Sequence, residues 1–423
     1  MKKLMFLFLI LPMLLLQSCL NDECRETRTF VQFTPVYLTK AQIRIDVKME
    51  SERILENPGK MYFYDNYLFI NDQGKGVHIY DLKDKSNPSK IGFYGIPGNF
   101  DIAVKDNILY ADNVMDLIAL DISNVYAPKM VKRIEDYQNW YGTYEHPTYY
   151  AYSVRSNQTM VIDCNNPNFG NNWFLIDNGG IAFADSGAPL NSVIKANGSN
   201  SGAGTGIGGS FARFTVVNDF LYIVDQSTLK SYSVSNPQNP QLIHTNQLNW
   251  GIETIFPYKD KLFVGSNAGM YIFDNARPEA PVLLSVFEHA RACDPVVVHG
   301  NTAYVTLRNG NECNGFINQL DIVDIENVLK PKLIKSYPMK NPHGLSVYDD
   351  RVYLAEGVHG FKVLDVKDPI NVKTLAEVTG NHSYDMISLS KDILFMVGDD
   401  GFYLYDVQNN KSPKLISSIK KGQ

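Results

Sequence analysis

Asn99, Glu253, Asp294, His343 and Asp385 each stand six or seven residues ahead of a polar turn, the turns falling at Asp106, Asp260, Gly300, Asp349 and Lys391. Arg213, Arg291 and His382 lie close by. A repeat that brings these positions to one mouth offers two kinds of chemistry. Asp294, His343 and Asp385 would hold a cation or a small polar ligand, because convergent carboxylates and an imidazole suit either. Glu253 with Asp294 or Asp385 would form the carboxylate pair that glycoside hydrolysis needs as acid and base. The competing account is a hydrated mouth whose groups satisfy one another and water.

A second set of candidates is aromatic. Between residues 136 and 210 lie Trp140 and Trp173, two of the three tryptophans, with Tyr137, Tyr141, Tyr144, Tyr149, Tyr150 and Tyr152 among many Asn and Gly. Ring faces beside amide hydrogen-bonders suit a sugar or a partner surface. The alternative is a lid whose rings pack on the rest of the protein.

The elements that position these residues follow from a repeat. Asp65, Asp106, Asn218, Asp260, Gly300, Asp349 and Lys391 each separate two apolar runs, at intervals of 41, 112, 42, 40, 49 and 42 residues. Four residues beyond each turn stands Phe69, Tyr110, Tyr222, Val264, Tyr304, Tyr353 or Phe395, a mid-strand packing position. A third run then ends in a carboxylate or hydroxyl, as in Val77–Asp81, Leu117–Asp121, Leu229–Ser233, Met270–Asp274, Leu320–Asp324, Phe361–Asp365 and Phe402–Asp406. After several of these a proline marks the entrance to a fourth run, where it costs no ladder hydrogen bond. Alternation with period two, β-branched and aromatic enrichment and intervening turn residues specify strands. Four short strands in about forty residues specify one blade of a β-propeller.

The expected fold is therefore all-β: a seven-bladed propeller of four-stranded blades over residues 55–420, with a long insertion after blade two at about 136–210. An eighth blade built on Tyr149 to Asp163 is the alternative. Thr29 to Tyr37 also alternates like a strand and is expected to lie against the propeller, within a leading segment of residues 19–54.

The third-strand motif, with Leu320-Asp-Ile-Val-Asp324 and Phe361-Lys-Val-Leu-Asp365 as its best examples, resembles the LVIVD-repeat family of bacterial propeller lipoproteins. The likeness covers about residues 55 to 420, and unit three departs from it with Ser233 in place of Asp. The resemblance implies a surface or secreted propeller and brings no reaction with it.

The amino terminus supports that location. Met-Lys-Lys, an apolar run from Leu4 to Leu16, and Leu16-Gln17-Ser18-Cys19 make a lipoprotein signal over residues 1–18, cleaved before Cys19. The run is too short to span a bilayer as an anchor. Acylated Cys19 would hold the chain at the outer membrane, since several acyl chains anchor stably. Asp22-Glu23 resembles the acidic signal that sends some lipoproteins to the outer face, so either the cell surface or the periplasmic face is open. Removing Lys2 and Lys3 takes the formal charge from −6 to −8, and no basic run suggests nucleic acid as a partner.

Four cysteines remain besides Cys19, an even number suited to an oxidising compartment. Cys293 precedes the first strand of unit five and Cys313 follows its second, so antiparallel pairing predicts a Cys293–Cys313 bridge contributing roughly 3 kcal/mol. Cys24 and Cys164 pair only by elimination. None has zinc-finger spacing, and no metal or cofactor is expected.

Other motifs carry no reaction. Gly204-x-Gly206-x-x-Gly209 mimics a dinucleotide fingerprint but leads into the strand-like Phe211–Val217 instead of a helix, so it reads as a tether. The sialidase-type Ser-x-Asp-x-Gly-x-x-Trp repeat, the nucleophile elbow and the His-Glu-x-x-His helix are absent, and three tryptophans are too few for a tryptophan-rich quinone-dependent propeller. Turns such as Asn71-Asp72-Gln73-Gly74 and Gly398-Asp399-Asp400-Gly401 lack the ligand run of a calcium loop and read as hairpin turns. The expected function is non-catalytic recognition of a glycan or envelope protein, or scaffolding. A glycan-active enzyme using the mouth carboxylates is the alternative.

Overall fold

The computed structural model describes residues 25–137, 150–163, 173–176, 180–184, 207–210, 212–288, 295–308 and 318–422. The chain forms two compact units. A four-stranded sheet runs in the order Tyr150–Asp163, Arg25–Leu38, Gly180–Ala184, Trp173–Ile176, with residues 25–33, 155–163 and the two shorter strands in the smaller unit. Phe30 to Phe33 pair antiparallel with Ala184 to Ile181 there. Tyr150–Asp163 thus joins the amino-terminal strand, and no eighth blade forms from it.

The larger unit is the expected seven-bladed ring. Its innermost strands are Pro58–Tyr64, Ile102–Lys105, Phe214–Val217, Ile252–Tyr258, Val296–His299, Leu345–Tyr348 and Asp385–Ser388. Each leads through two further strands to an outermost one: Ser89–Gly95, Lys129–Ile134, Gln241–Gln247, Val282–Glu288, Lys332–Pro338, Lys373–Val378 and Lys414–Lys420. A register shift interrupts every pairing of third and outermost strands. Such bulges bend the outer strand and sharpen its twist.

The repeat residues have local physical roles. Asp65, Asp106, Asn218, Gly300 and Asp349 adopt left-handed φ angles of 48° to 60°, which Asp, Asn and Gly tolerate best. In unit four Lys259 takes that conformation instead of Asp260, and Lys391 sits in a wider turn closed by Leu389 N donating to Ile393 O. The Asp ending each third strand accepts from the amide two residues on. Lys83 N to Asp81 is 2.8 Å, Ser123 N to Asp121 2.9 Å, Glu326 N to Asp324 2.9 Å and Gln408 N to Asp406 2.8 Å. In unit three this bond gives way to Ser233 Oγ against Ser235 Oγ at 3.1 Å. The recurring Asp is therefore an Asx-turn acceptor that starts the outer connection.

Blades are joined by apolar seams. One cluster spans blades one to three, another blades three and four, another blades four to six, another blades six and seven, and the last closes blade seven on blade one. At that closing seam Phe63 and Phe395 meet edge to face at 5.4 Å, and Gly422 N donates to Leu55 O. Tyrosine hydroxyls stitch neighbours across the seams: Tyr110 to Pro237 O, Tyr222 to Pro278 O and Tyr353 to Asn410 Oδ1, at 2.8, 2.8 and 2.7 Å. The mid-strand aromatic thus packs with its ring and bonds the next blade with its hydroxyl.

Residues 34–50 form a strap on blades one and two. Thr39 caps the short helix Lys40–Ile43, accepting from Gln42 N at 3.3 Å while its own amide donates to Gln42 Oε1 at 2.8 Å. Ile43, Val36 and Leu38 pack with Phe100, Val114 and Met115. Met49–Glu50 then adds a strand outside blade one, pairing with Tyr94 and Phe93. Among the described residues no helix is long and apolar enough to cross a membrane. The expected signal segment, Cys19, Cys24, Cys164, Cys293 and Cys313 lie outside the described residues.

Candidate functional site

Strand register places Lys60, Asp101, Arg213, Thr254, Pro295, Gly344 and Asp385 at one equivalent position, where the innermost strands begin. Lys60 and Asp101, in neighbouring blades and both buried, form an ion pair. The Asp101 carboxylate also accepts from Ile102 N at 2.8 Å, Arg213 N at 2.6 Å and Phe214 N at 3.2 Å, tying blades one, two and three together. Burial, opposed by Asp101 and assisted by the nearby Arg213, pulls the Lys60 ammonium down to about 8.

Asn99, one of the five matched residues, is fully buried beside this pair. Its amide nitrogen donates to Asp112 Oδ1 at 2.7 Å and to Asp101 O at 2.9 Å, and Asn71 Nδ2 donates to its Oδ1 at 2.7 Å. Asp112 also accepts from Phe100 N and Asp101 N. Burial raises the Asp112 carboxyl to about 6 against those bonds.

Round the ring from blade one, His343 and Asp385 stand at the entrances of the innermost strands of blades six and seven, where His343 meets the neighbour of Asp385. The His343 and Tyr384 rings lie 5.3 Å apart, and His382 meets Tyr384 edge-on at 4.5 Å. Arg308 Nη1 reaches both ring nitrogens of His343, with Nε2 at 3.1 Å. Arginine only donates and an imidazole accepts through at most one ring nitrogen, so at most one of these contacts is a hydrogen bond. Gly357 lies beside His343 at φ 56°, and a Cβ there would stand 2.5 Å from Asn341 Nδ2 and 3.0 Å from His343 Nε2. Both the backbone angle and the close approach call for glycine.

The centre of the ring is occupied by the chain itself. Ile207–Gly208 pairs with Phe63 and Tyr62 on the inner edge of blade one. Ser210 Oγ accepts from Leu345 N and donates to Asp385 Oδ1, each at 2.9 Å. Ala212 O accepts from Ile255 N at 2.8 Å. The segment returning from the insertion thus touches the innermost strands of blades one, four, six and seven. Asp385 is fully buried beneath it, with Oδ2 unpartnered, and burial pushes its carboxyl well above the usual carboxylate range.

Of the other residues expected at the mouth, Glu253 is half-buried at the start of Ile252–Tyr258. Asp294, Arg291 and Trp140 lie outside the described residues, and Trp173 begins the strand Trp173–Ile176 of the smaller sheet. Among the described residues no three His, Cys, Asp or Glu side chains gather as metal ligands. Lys60, Asp101 and Ser210 escaped the sequence reading. The signal for the first two is a charge five residues before the turn, at the entrance to the apolar run; Ser210 had none.

The LVIVD repeat model matches residues 61–96, 99–136 and 290–338, falling on blades one, two and five. The chain carries LVIVD repeats. No curated protein matches it. Among solved structures, the computationally designed protein Ika8 is similar over 89% of this chain and 92% of its own, at 10% identity and a TM-score of 0.52. A functionally unknown protein of Desulfotomaculum acetoxidans (11% identity, 85% and 95% of the two chains, TM-score 0.49) and Hsv2p of Kluyveromyces lactis (11%, 87% and 100%, TM-score 0.48) are also similar. At such identities the likeness to Ika8 speaks for the propeller fold alone.

Proposed function

We propose that this LVIVD-repeat propeller is a non-catalytic recognition or scaffolding protein, held at the outer membrane through acylated Cys19, whose ligand is a glycan or another envelope protein. The observation that carries the reading is the filled centre of the ring. Residues 207–210 and 212 occupy it, and Lys60, Asp101, Asn99 and Asp112 are spent on one another. Recognition then belongs to outward surfaces and to the insertion with Trp140 and Trp173.

Glycan arrays and pull-downs with soluble protein starting after Cys19 test this reading. Retained binding without turnover supports it. The catalytic alternative draws on Asp385, whose raised carboxyl and unpartnered Oδ2 suit a general acid. Substrate would have to displace Ser210 to reach it. Turnover lost in Glu253→Gln and Asp385→Asn, with folding intact, would establish the enzyme and end the binding-only account.

A further inference from the structure

The seven outermost strands do not protect their edges alike. Blades two, five, six and seven present Lys129, Lys332, Lys373 and Lys414 at the strand's first residue, and most add a second charge farther on. Blade one is covered by Met49–Glu50. Lysine and covering strands are the usual means of keeping a free sheet edge from pairing with another chain. Among the described residues, blades three and four have neither. Gln241-Leu-Ile-His-Thr-Asn-Gln247 carries no carboxylate, Lys or Arg, and Val282-Leu-Leu-Ser-Val-Phe-Glu288 carries only its terminal Glu.

These two edges are also apolar and adjacent. Leu242, Ile243, Val282, Leu283 and Val286 are between 38% and 52% exposed. Asn246 Nδ2 donates to Pro281 O at 3.1 Å, joining the two edges into one rim.

Blade one shows that this edge geometry accepts an added strand. Met49 and Glu50 pair antiparallel with Tyr94 and Phe93, just past the bulge. By register, the blade-four residues at those positions are Phe287 and Val286. A second copy of Val282–Glu288 suits that place. Any antiparallel self-pairing whose two-fold axis falls from Ser285 to Phe287 sets Glu288 opposite an uncharged residue. The same operation about Lys335 in blade five would set lysine against lysine. A two-fold contact also consumes the edge once and stops, where an unpaired neutral edge would invite open-ended association.

We infer that the chain forms a two-fold dimer in which the blade-four edges Val282–Glu288 of two copies pair as antiparallel strands, with the exposed apolar residues of blade three flanking the contact. The proposal is independent of the ligand. Sedimentation and light scattering of soluble protein starting after Cys19 should give twice the mass of a single chain. Leu283→Lys with Val286→Lys should return it to the single-chain mass with the melting midpoint retained. Leu415→Lys, a still more exposed apolar position on the lysine-bearing edge of blade seven, should leave the doubled mass. Amide exchange at Val286 and Phe287 should slow in the wild type relative to the double-lysine variant. A wild type of single-chain mass at all concentrations overturns the proposal, as does a dimer that survives both lysines or dissolves with Leu415→Lys. If the double variant fails to fold, Leu283→Glu alone serves, with the same two outcomes.

Discussion

Lys60 and Asp101 are like positions of neighbouring blades that carry opposite charges, so the repeat has been used to place an ion pair where the ring is narrowest. Removing one partner of such a buried pair costs about 3–5 kcal/mol, because the other charge is stranded. Lys60 also makes stability depend on pH. Its folded value of about 8 lies below the ordinary 10.5 of the unfolded chain, so below 8 both states hold the proton and the folded one bears the cost of a buried charge. Between about 8 and 10.5 the folded lysine is neutral while the unfolded one is still charged, and this lysine's contribution becomes less unfavourable as pH rises. The unfolding free energy of the wild type relative to Lys60→Met should therefore rise over that window, by on the order of 3 kcal/mol at most. Chemical denaturation at a series of pH values measures it, and parallel curves for the two proteins would refute it. Of this site, His343 and Asp385 were legible in the sequence because they stand just outside apolar runs, where polarity is conspicuous. Lys60 and Asp101 were not, because a charge at the first inward position of a strand looks like an ordinary strand end. Their meaning appears only when blades are set side by side.

At the level of elements, the strands were legible because each has period two and ends in a residue with its own local bond. The Asp of Leu320–Asp324 announces the end of the third strand since its carboxylate accepts from Glu326 N. What the sequence could not convey is where a lone segment goes once its neighbours lie far off in the chain. Thr29 to Tyr37 alternates as a strand should, yet its pairing partner over residues 30 to 33 is Gly180–Ala184, some 150 residues away. The strap that follows is held by a buried carboxylate. Asp116 accepts from Arg44 Nε at 2.9 Å and Nη2 at 3.1 Å, from Arg133 Nη1 at 2.9 Å and from Asp136 N at 3.0 Å. Arg44→Ala should lower stability by about 1–3 kcal/mol, the worth of charge-assisted bonds at a site that keeps Arg133. Because both arginines share one carboxylate, Arg44→Ala and Arg133→Ala should not add. Deleting residues 25–45 should lower the melting midpoint at least as far as Arg44→Ala does. A deletion that melts like the wild type would reduce the strap to a tether.

For the whole molecule, the ring and the insertion answer to different physics. Each blade buries its faces against two neighbours, so the seams between blades carry the stability and a loop between blades adds little to it. The sequence displayed this division as an interval of 112 residues among others near forty. It did not display that the chain returns from the insertion through the centre of the ring. Ile207–Gly208 pairs with blade one and Ser210 bridges Leu345 to Asp385, so the returning segment belongs to the propeller although the glycine-rich stretch before it looks like a tether. Two replacements separate these roles. A short Gly-containing linker in place of residues 138–206, with 207–212 kept, should leave the propeller's melting midpoint within a few degrees of the wild type, because every blade seam is intact. Extending the replacement through residue 212 should lower it clearly, since Asp385 loses Ser210 and the inner edge of blade one loses its added strand; an unsatisfied buried group alone costs about 1–3 kcal/mol. Ligand capture should fail in both variants if Trp140 and Trp173 belong to the recognition surface. Capture that survives the first replacement and fails only in the second would move recognition to the ring's centre, with Glu253, His343 and Asp385. Equal melting of the two variants would mean that the returning segment fills the ring without supporting it.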